Sequence, residues 1–421
     1  MQEKVVIGFA GMTHLGLNSV VAVAERGFEC YCYDADKQLI GAIAQGNMPV
    51  VEPMLPKLWQ KNRERLHATS SITDLAKCDV VYIANDVATD AAGQSDLTKI
   101  EALIRQVAAN LNNKAILVIL CQVPPGFTRK IAYPRDRLYY QVETLVFGKA
   151  VERALYPERY IVGCADASQP LPETYKILLQ TFTCPILPMQ YESAELAKIA
   201  INCCLVASVS VANTLAEVCE NIGANWAEIA PALKLDQRIG SSAYLAPGLG
   251  IAGGNLERDL ATVINLAQNH GSDASVIAAF LQNSNYRRDW ALRTLHTKVL
   301  TNIPNATIGV LGLAYKANTH SIKNSPAIAL LNYLHGYAVK VFDPVVSASV
   351  VPHVTPAQSI ESVAAQADVL MIMTPWDEFK NISLVNLAKT MASKIIIDPY
   401  QVLNATACLE HGFEYFTLGI G

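Results

Sequence analysis

No block of like charge interrupts the 421 residues: 33 lysines and arginines stand against 37 aspartates and glutamates, a formal net charge of -4. That excludes a basic face for nucleic acid and an acidic tail, so an anionic partner would need a locally built site. Charged residues are few, at 17% against 51% hydrophobic, which excludes disorder and leaves enough apolar chain for two or three domains with full cores. Ten cysteines are present but none forms a C-x-x-C pair, and most sit in apolar runs. The expectation is buried, reduced thiols, with neither disulfides nor a metal centre. The start of the chain lacks the basic region and cleavage site of a signal peptide and passes directly into the strand pattern Val5-Val6-Ile7-Gly8, as expected of a cytoplasmic protein. Long hydrophobic runs are also scarce. Only Ile199 to Leu215 is membrane-like, and it carries Asn202, Ser208, Ser210 and Asn213, so a buried helix between domains is expected there and not a membrane span.

What is present divides into three parts. From Lys4 to about Leu187, short β-branched runs (Val5 to Ile7, Val80 to Ile83, Ile116 to Leu120, Tyr160 to Val162) alternate with helical patterns, as in a parallel sheet of βαβ units. From about Tyr191 to Thr297 the helical period dominates, broken by the Gly/Pro-rich loop Ala246 to Gly254. After Pro304 strand, glycine turn and helix return, with strands expected at Ala306 to Leu313, Ala338 to Asp343, Val369 to Met373 and Ile395 to Asp398. The boundaries expected are 1–190, 191–300 and 301–421.

The first glycine turn has the order of a dinucleotide site. Gly8, Gly11 and Gly16 lie between a strand and a helix, and Asp34 closes the next strand. Glycines let backbone approach a pyrophosphate at a helix N-terminus, and the acid takes ribose hydroxyls, which favours NAD over NADP. Thr13 stands where the middle glycine of G-x-G-x-x-G belongs, and its branched side chain is expected to crowd the pyrophosphate. The competing reading is a plain strand-to-helix turn.

In the middle part Glu195, Lys198, Asn202 and Asn213 share one helical stripe. Either they form a satisfied hydrogen-bond row in which Lys198 pairs with Glu195, or they are catalytic. Downstream, Gly250-Ile251-Ala252-Gly253-Gly254-Asn255-Leu256-Glu257-Arg258-Asp259 reads as a glycine loop entering a helix, with Asn255 expected as its N-cap.

The order E-x-x-K-x-x-x-N, then Asp236-Gln237-Arg238-Ile239-Gly240, then the glycine loop ending in Asp259, then Gly312-Leu313-Ala314-Tyr315-Lys316 with Ser325-Pro326, resembles the UDP-glucose/GDP-mannose dehydrogenase family. Glu52-Pro53, Val123-Pro124-Pro125-Gly126 and Thr374-Pro375-Trp376-Asp377-Glu378-Phe379 extend the resemblance over essentially the whole chain. It implies an α/β protein with two Rossmann-like, doubly wound parallel-sheet domains joined by a central helical connector. It further implies a homodimer built on that connector, a small nucleotide-sugar as partner and NAD as cofactor.

Carried over by position, the resemblance implies catalytic roles for Lys198, Asn202 and Asp259, with Glu143 placing a water. Cofactor contacts are implied for Gly8, Gly11, Thr13, Gly16, Asp34, Gln122, Arg258 and Lys323. Substrate contacts are implied for Arg238, Gly250, Gly253, Gly254 and Lys316. Asn255 falls at the family's nucleophilic cysteine, and an amide forms neither a thiohemiacetal nor a thioester. Other departures are Phe147 for a glutamate, Cys121-Gln122 for Ser-Thr, and His320-Ser321-Ile322-Lys323 for an arginine-bearing segment, so that Lys323 keeps the charge without the fork. Cys203 and Cys204 point about 100 and 200 degrees around the helix from Asn202 and are not expected to replace the missing thiol. Three readings follow: an oxidation at the sugar's sixth carbon that stops at the aldehyde or reaches the acid through its hydrate, an epimerase that shuttles hydride internally, and a non-catalytic binder of nucleotide-sugar or NAD.

Overall fold

A computed structural model describes residues 5–89 and 95–421, so the expected domain start at Lys4 lies outside the described residues. The chain divides into two compact units, one ending at Ile201 and the other starting at Asn202. The division falls inside a single helix, Tyr191–Ile222.

The first unit contains β1 (Val6–Ala10), β2 (Glu29–Tyr33), β3 (Leu66–Thr69), β4 (Val80–Ile83), β5 (Ala88–Thr89), β6 (Ser95–Asp96), β7 (Ile116–Ile119), β8 (Leu138–Gln141), β9 (Tyr160–Cys164) and β10 (Ile186–Gln190). Eight of these form one sheet in the order β10-β9-β8-β7-β4-β1-β2-β3, and β5 pairs with β6 in a small hairpin. The expected strands are there because β4 and β7 are buried at every residue, and a sheet covered on both faces needs unbroken apolar strands. The sheet is not wholly parallel, which corrects one expectation: β9 runs antiparallel to β8. It also holds β3, β8 and β10, which the sequence reading did not single out.

In the second unit β11 (Thr307–Leu311), β12 (Ala338–Phe342), β13 (Thr355–Pro356), β14 (Val369–Ile372), β15 (Ile395–Ile397) and β16 (Glu414–Phe416) form an all-parallel sheet in the order β13-β12-β11-β14-β15-β16. Its start repeats the first sheet in detail. The Gly11 N–H donates to the Tyr33 carbonyl and the Gly312 N–H to the Phe342 carbonyl, both at 2.8 Å. Asp79 accepts from the Val6 N–H and Asp368 from the Thr307 N–H, again both at 2.8 Å. Each sheet therefore begins with a strand, a glycine turn and an aspartate closing the second strand.

The helical part comprises Tyr191–Ile222, Trp226–Leu235, Asn255–His270, Ser275–Arg288 and Trp290–Leu295. Tyr191–Ile222 is the one helix among the described residues long and apolar enough to cross a membrane. Its polar residues are nonetheless satisfied by protein: Glu195, Lys198, Asn202 and Asn213 each have a partner. Val211, Leu215, Val218 and Ile222 leave an exposed apolar stripe along its second half.

Candidate active site

The first glycine turn is as tight as a dinucleotide fingerprint requires. Gly11 has φ +105°, and a Cβ there would collide with Asn85; one at Gly16 would collide with the Gly11 carbonyl. Asp34, at the carboxyl end of β2, accepts the Met12 N–H at 3.0 Å and the Asp36 N–H at 3.0 Å. Its counterpart in the second unit, Asp343, is saturated instead: it accepts N–H groups from Leu313, Ala314, Val345, Val346 and the Trp376 indole. The first turn is thus the better fit to a dinucleotide, which when bound would supply the hydride acceptor and would be held by Gly11, Thr13, Gly16 and Asp34. Gly8 does not belong with them. It lies within β1, where Leu75, Val81 and Cys78 side chains fill the space of a Cβ.

The Thr13 side chain is engaged by the protein itself. Its hydroxyl lies 3.4 Å from the Ala84 carbonyl and accepts the Asp86 N–H at 3.0 Å, pinning the turn to the end of β4. Gln122 is half-buried just after β7, on the carboxyl side of the sheet where doubly wound folds bind ligands.

Lys198 does not pair with Glu195. The Glu195 carboxylate is fully buried and accepts the N–H groups of Gly126 (2.6 Å) and Thr128 (2.8 Å), which ties the Val123-Pro124-Pro125-Gly126 loop to the long helix. Burial raises its pKa above the ordinary value of 4.5, against the pull of those donors. The Lys198 ammonium, buried as well, lies 3.1 Å from the Glu143 carboxylate. Glu143 also accepts the Leu145 N–H at 2.9 Å, so it is a fixed counter-charge.

One turn further along the helix, Asn202 donates to the Asp259 carboxylate at 2.5 Å. Asp259 is 1% exposed and has the Arg258 guanidinium 3.5 Å away, also buried. An anion this enclosed is held by a paired cation and a charge-assisted hydrogen bond. Cys203 is no thiolate: burial, with Asp259 nearby, pushes its thiol up to about 11.

The loop before Asp259 corrects the expected cap. Gly254, with φ +88°, is the N-cap, so no side chain caps the helix, and Asn255 is its first helical residue. A left-handed cap suits glycine, which leaves Asn255 to project from the first turn. The loop's amides are largely used within the protein: Gly248 donates to Asn213, Ile251 to the Ser284 hydroxyl and Gly253 to the Lys323 carbonyl. Gly250 lies against Ser284 and Gly253 against the Tyr315 ring, so close packing, more than ligand contact, accounts for these glycines. A Cβ at Gly254 would lie 2.7 Å from Lys323 Cε, which places Lys323 beside the start of this helix. Lys316 is half-buried in the same glycine-lysine segment. Arg238 is exposed and paired with Asp236 at 2.6 Å.

Two features were missed from sequence. Glu52 accepts from Gly148 and Ala150 N–H groups and lies 2.8 Å from His14 Nε2, while the His14 ring packs on Phe147 at 4.1 Å. Asp86 accepts the His14 N–H at 3.1 Å. Only Glu52-Pro53 carried a motif signal; an aspartate after β4 carried none. Among the described residues no group of three or more His, Cys, Asp or Glu is placed to hold a metal.

Comparison with known proteins accounts for this pairing of sheets and loop. The UDP-glucose 6-dehydrogenase TuaD of Bacillus subtilis (strain 168) is 29% identical over 98% of this chain and 93% of its own length. The UDP-glucose 6-dehydrogenase of Rhizobium meliloti (strain 1021) is also 29% identical, over 98% of this chain and 99% of its own. Among solved structures, a UDP-D-ManNAc dehydrogenase from Pyrococcus horikoshii shares the fold with a TM-score of 0.85 at 24% identity, over 98% of this chain and 99% of that one. A UDP-glucose dehydrogenase from Pyrobaculum islandicum does so with a TM-score of 0.85 at 22% identity, over 100% and 99%. Three domain models of one family match in order, the NAD binding domain over residues 5–183, the central domain over 192–286 and the UDP binding domain over 309–405. With two Rossmann-like sheets, a central helical part and a fingerprint turn suited to NAD, the chain belongs to the UDP-glucose/GDP-mannose dehydrogenase family and is an NAD-dependent nucleotide-sugar dehydrogenase acting on a CH-OH group.

Proposed function

We propose that the enzyme oxidises the 6-hydroxyl of a UDP-glucose-like nucleotide-sugar to the aldehyde, and that any acid it forms arises from the aldehyde hydrate and not from a covalent thioester. Asp259, held by Asn202, takes the hydroxyl proton, directly or through a water, as hydride leaves carbon six. Lys198, held in place by Glu143, stabilises the alkoxide as it develops. Asn255 offers no nucleophile, since an amide nitrogen delocalises its electron pair into the carbonyl. The observation that carries this reading is the Asn202–Asp259 hydrogen bond at 2.5 Å beside a residue 255 that is not cysteine. Purified enzyme mixed with NAD and a panel of sugar nucleotides tests it: NADH must appear with at least one, and NMR of the product must show a carbon-six aldehyde or its hydrate, or the acid.

Arg238, Lys316 and Lys323 are assigned to the phosphates or sugar in this proposal, and Arg258 and Gln122 to the cofactor side. The domain limits are placed at 1–190, 191–300 and 301–421. The central part is assigned to a homodimer interface, supported by the exposed stripe Val211, Leu215, Val218 and Ile222. The cytoplasm, and a role in making precursors for polysaccharide, complete the proposal.

A second reading, a member that binds without turnover, draws on one observation, the Asp86 carboxylate on the first turn of the cofactor helix. Calorimetric binding of a sugar nucleotide with no NADH from any member of the panel would favour it.

A further inference from the structure

The helix that follows the fingerprint turn, His14–Glu25, has no acidic residue in its own first turn. Asp86 supplies one from elsewhere. Standing three residues beyond β4, it gives its N–H to the Thr13 hydroxyl at 3.0 Å and accepts the His14 N–H on Oδ2 at 3.1 Å. A carboxylate at that point satisfies a backbone donor that the helix leaves open and interacts favourably with the positive end of its dipole. The same end of the same helix is where a turn of this geometry delivers a dinucleotide's diphosphate. Two anions cannot occupy one amide, and each repels the other.

We propose that Asp86 is an internal anion that competes with the diphosphate of NAD for the start of helix His14–Glu25, so that cofactor binding requires the carboxylate to leave. This rests on the NAD assignment of the family and concerns a residue that the assignment does not include. Three features support it. Asp86 as a whole residue is exposed, on the segment just past β4, so it is not part of the packed core. Its side chain meets the turn at the His14 N–H and the Thr13 hydroxyl, and the diphosphate would take over the first of these contacts. The carboxyl is also electrostatically uneasy: loss of solvent where it meets the turn raises its pKa, the Thr13 hydroxyl and His14 lower it, and the Glu143 carboxylate raises it again. With the Cys121 thiol, which feels the Asp86 charge, these are the titratable groups that face it.

The test compares wild-type enzyme with Asp86→Asn, which keeps an oxygen for the His14 N–H but removes the charge, and with Asp86→Ala. Asp166→Asn is the control. It removes an equal charge from a loop after β9, the strand antiparallel to β8, three strands away from β4 in the sheet. Calorimetric titration with NAD alone is expected to show about two- to fivefold tighter binding for both Asp86 variants, the range a single charge at a helix terminus supports, and no change for the control. Thermal denaturation gives the second readout. Asp86→Ala is expected to melt below wild type without NAD and level with it at saturating NAD. Unchanged or weaker NAD binding in the Asp86 variants, or an equal loss of melting temperature with and without NAD, would overturn the proposal while leaving the cofactor assignment intact. Failure of wild type and variants alike to bind millimolar NAD would overturn both.

Discussion

The Lys198 ammonium lies 3.1 Å from the Glu143 carboxylate, and both groups are largely shielded from water. A buried ammonium with one fixed counter-ion stays in place, as a group that stabilises a developing alkoxide must. Replacing Lys198 with Met is expected to lower the rate of NADH formation at least about 100-fold, since preorganised electrostatic groups contribute on that scale, while the Kd for NAD stays within about twofold. Glu143→Gln should cost less, because it acts through Lys198. Stopped-flow rates and NAD titration measure both.

Asp259 is expected to be the more sensitive position. Asp259→Asn removes the base and should reduce turnover by about 10²- to 10⁴-fold, the range for a positioned general base. Asn202→Ala leaves the base but removes its 2.5 Å donor. Its loss should be smaller than that of Asp259→Asn, with the double variant no worse than the single, because the two act as one unit. Steady-state kinetics of the three variants decides this.

Restoring cysteine at position 255 probes the missing half of the reaction. The first turn of helix Asn255–His270 carries a positive end, which favours a thiolate, and Lys323 lies beside Gly254. Asn255→Cys is expected to yield sugar acid with two NADH per substrate and to accumulate a covalent sugar adduct visible in the intact protein mass. A scaffold that had lost the rest of its site would show neither.

The exposed stripe of the long helix predicts a dimer. Leu215→Asp or Val218→Asp places a charge among Val211 and Ile222 and is expected to shift the light-scattering mass from dimer to monomer, with little change in the circular dichroism of the chain.

Glu195 predicts a pH dependence of stability. Its folded pKa lies above the ordinary 4.5 because burial disfavours the charged form. Such a group contributes stability that is complete below the unfolded value and is lost as pH rises through the folded one. Glu195→Gln removes this term. Relative to wild type it should gain stability as pH is raised from about 4 to 7, a trend denaturant melts across that window would show.

Much of the fold was legible because central strands of a covered sheet must be apolar throughout. β4 and β7 stand out as Val80-Val81-Tyr82-Ile83 and Ile116-Leu117-Val118-Ile119. β10 escaped notice because it is an edge strand with partly exposed residues and a proline, Pro188. The stripe Glu195, Lys198, Asn202 and Asn213 was legible from helical period alone, but its partners were not. Gly126, Glu143, Asp259 and Gly248 lie 35 to 69 residues away in sequence, and periodicity carries no information about them. The expected Asn255 cap failed for a local reason: Gly254 takes the left-handed cap position that no side-chain pattern announces. Asp86 was invisible because its importance comes from where β4 ends relative to the glycine turn.

Counting NADH and identifying the product in the same reaction tests the central claim most directly. With the sugar nucleotide that this enzyme accepts, the account predicts NADH formation, a carbon-six aldehyde, its hydrate or the acid derived from it by NMR, and an enzyme whose intact mass shows no sugar adduct at any time. Absence of NADH across a broad panel, or a sugar covalently attached to the wild-type chain during turnover, would contradict it.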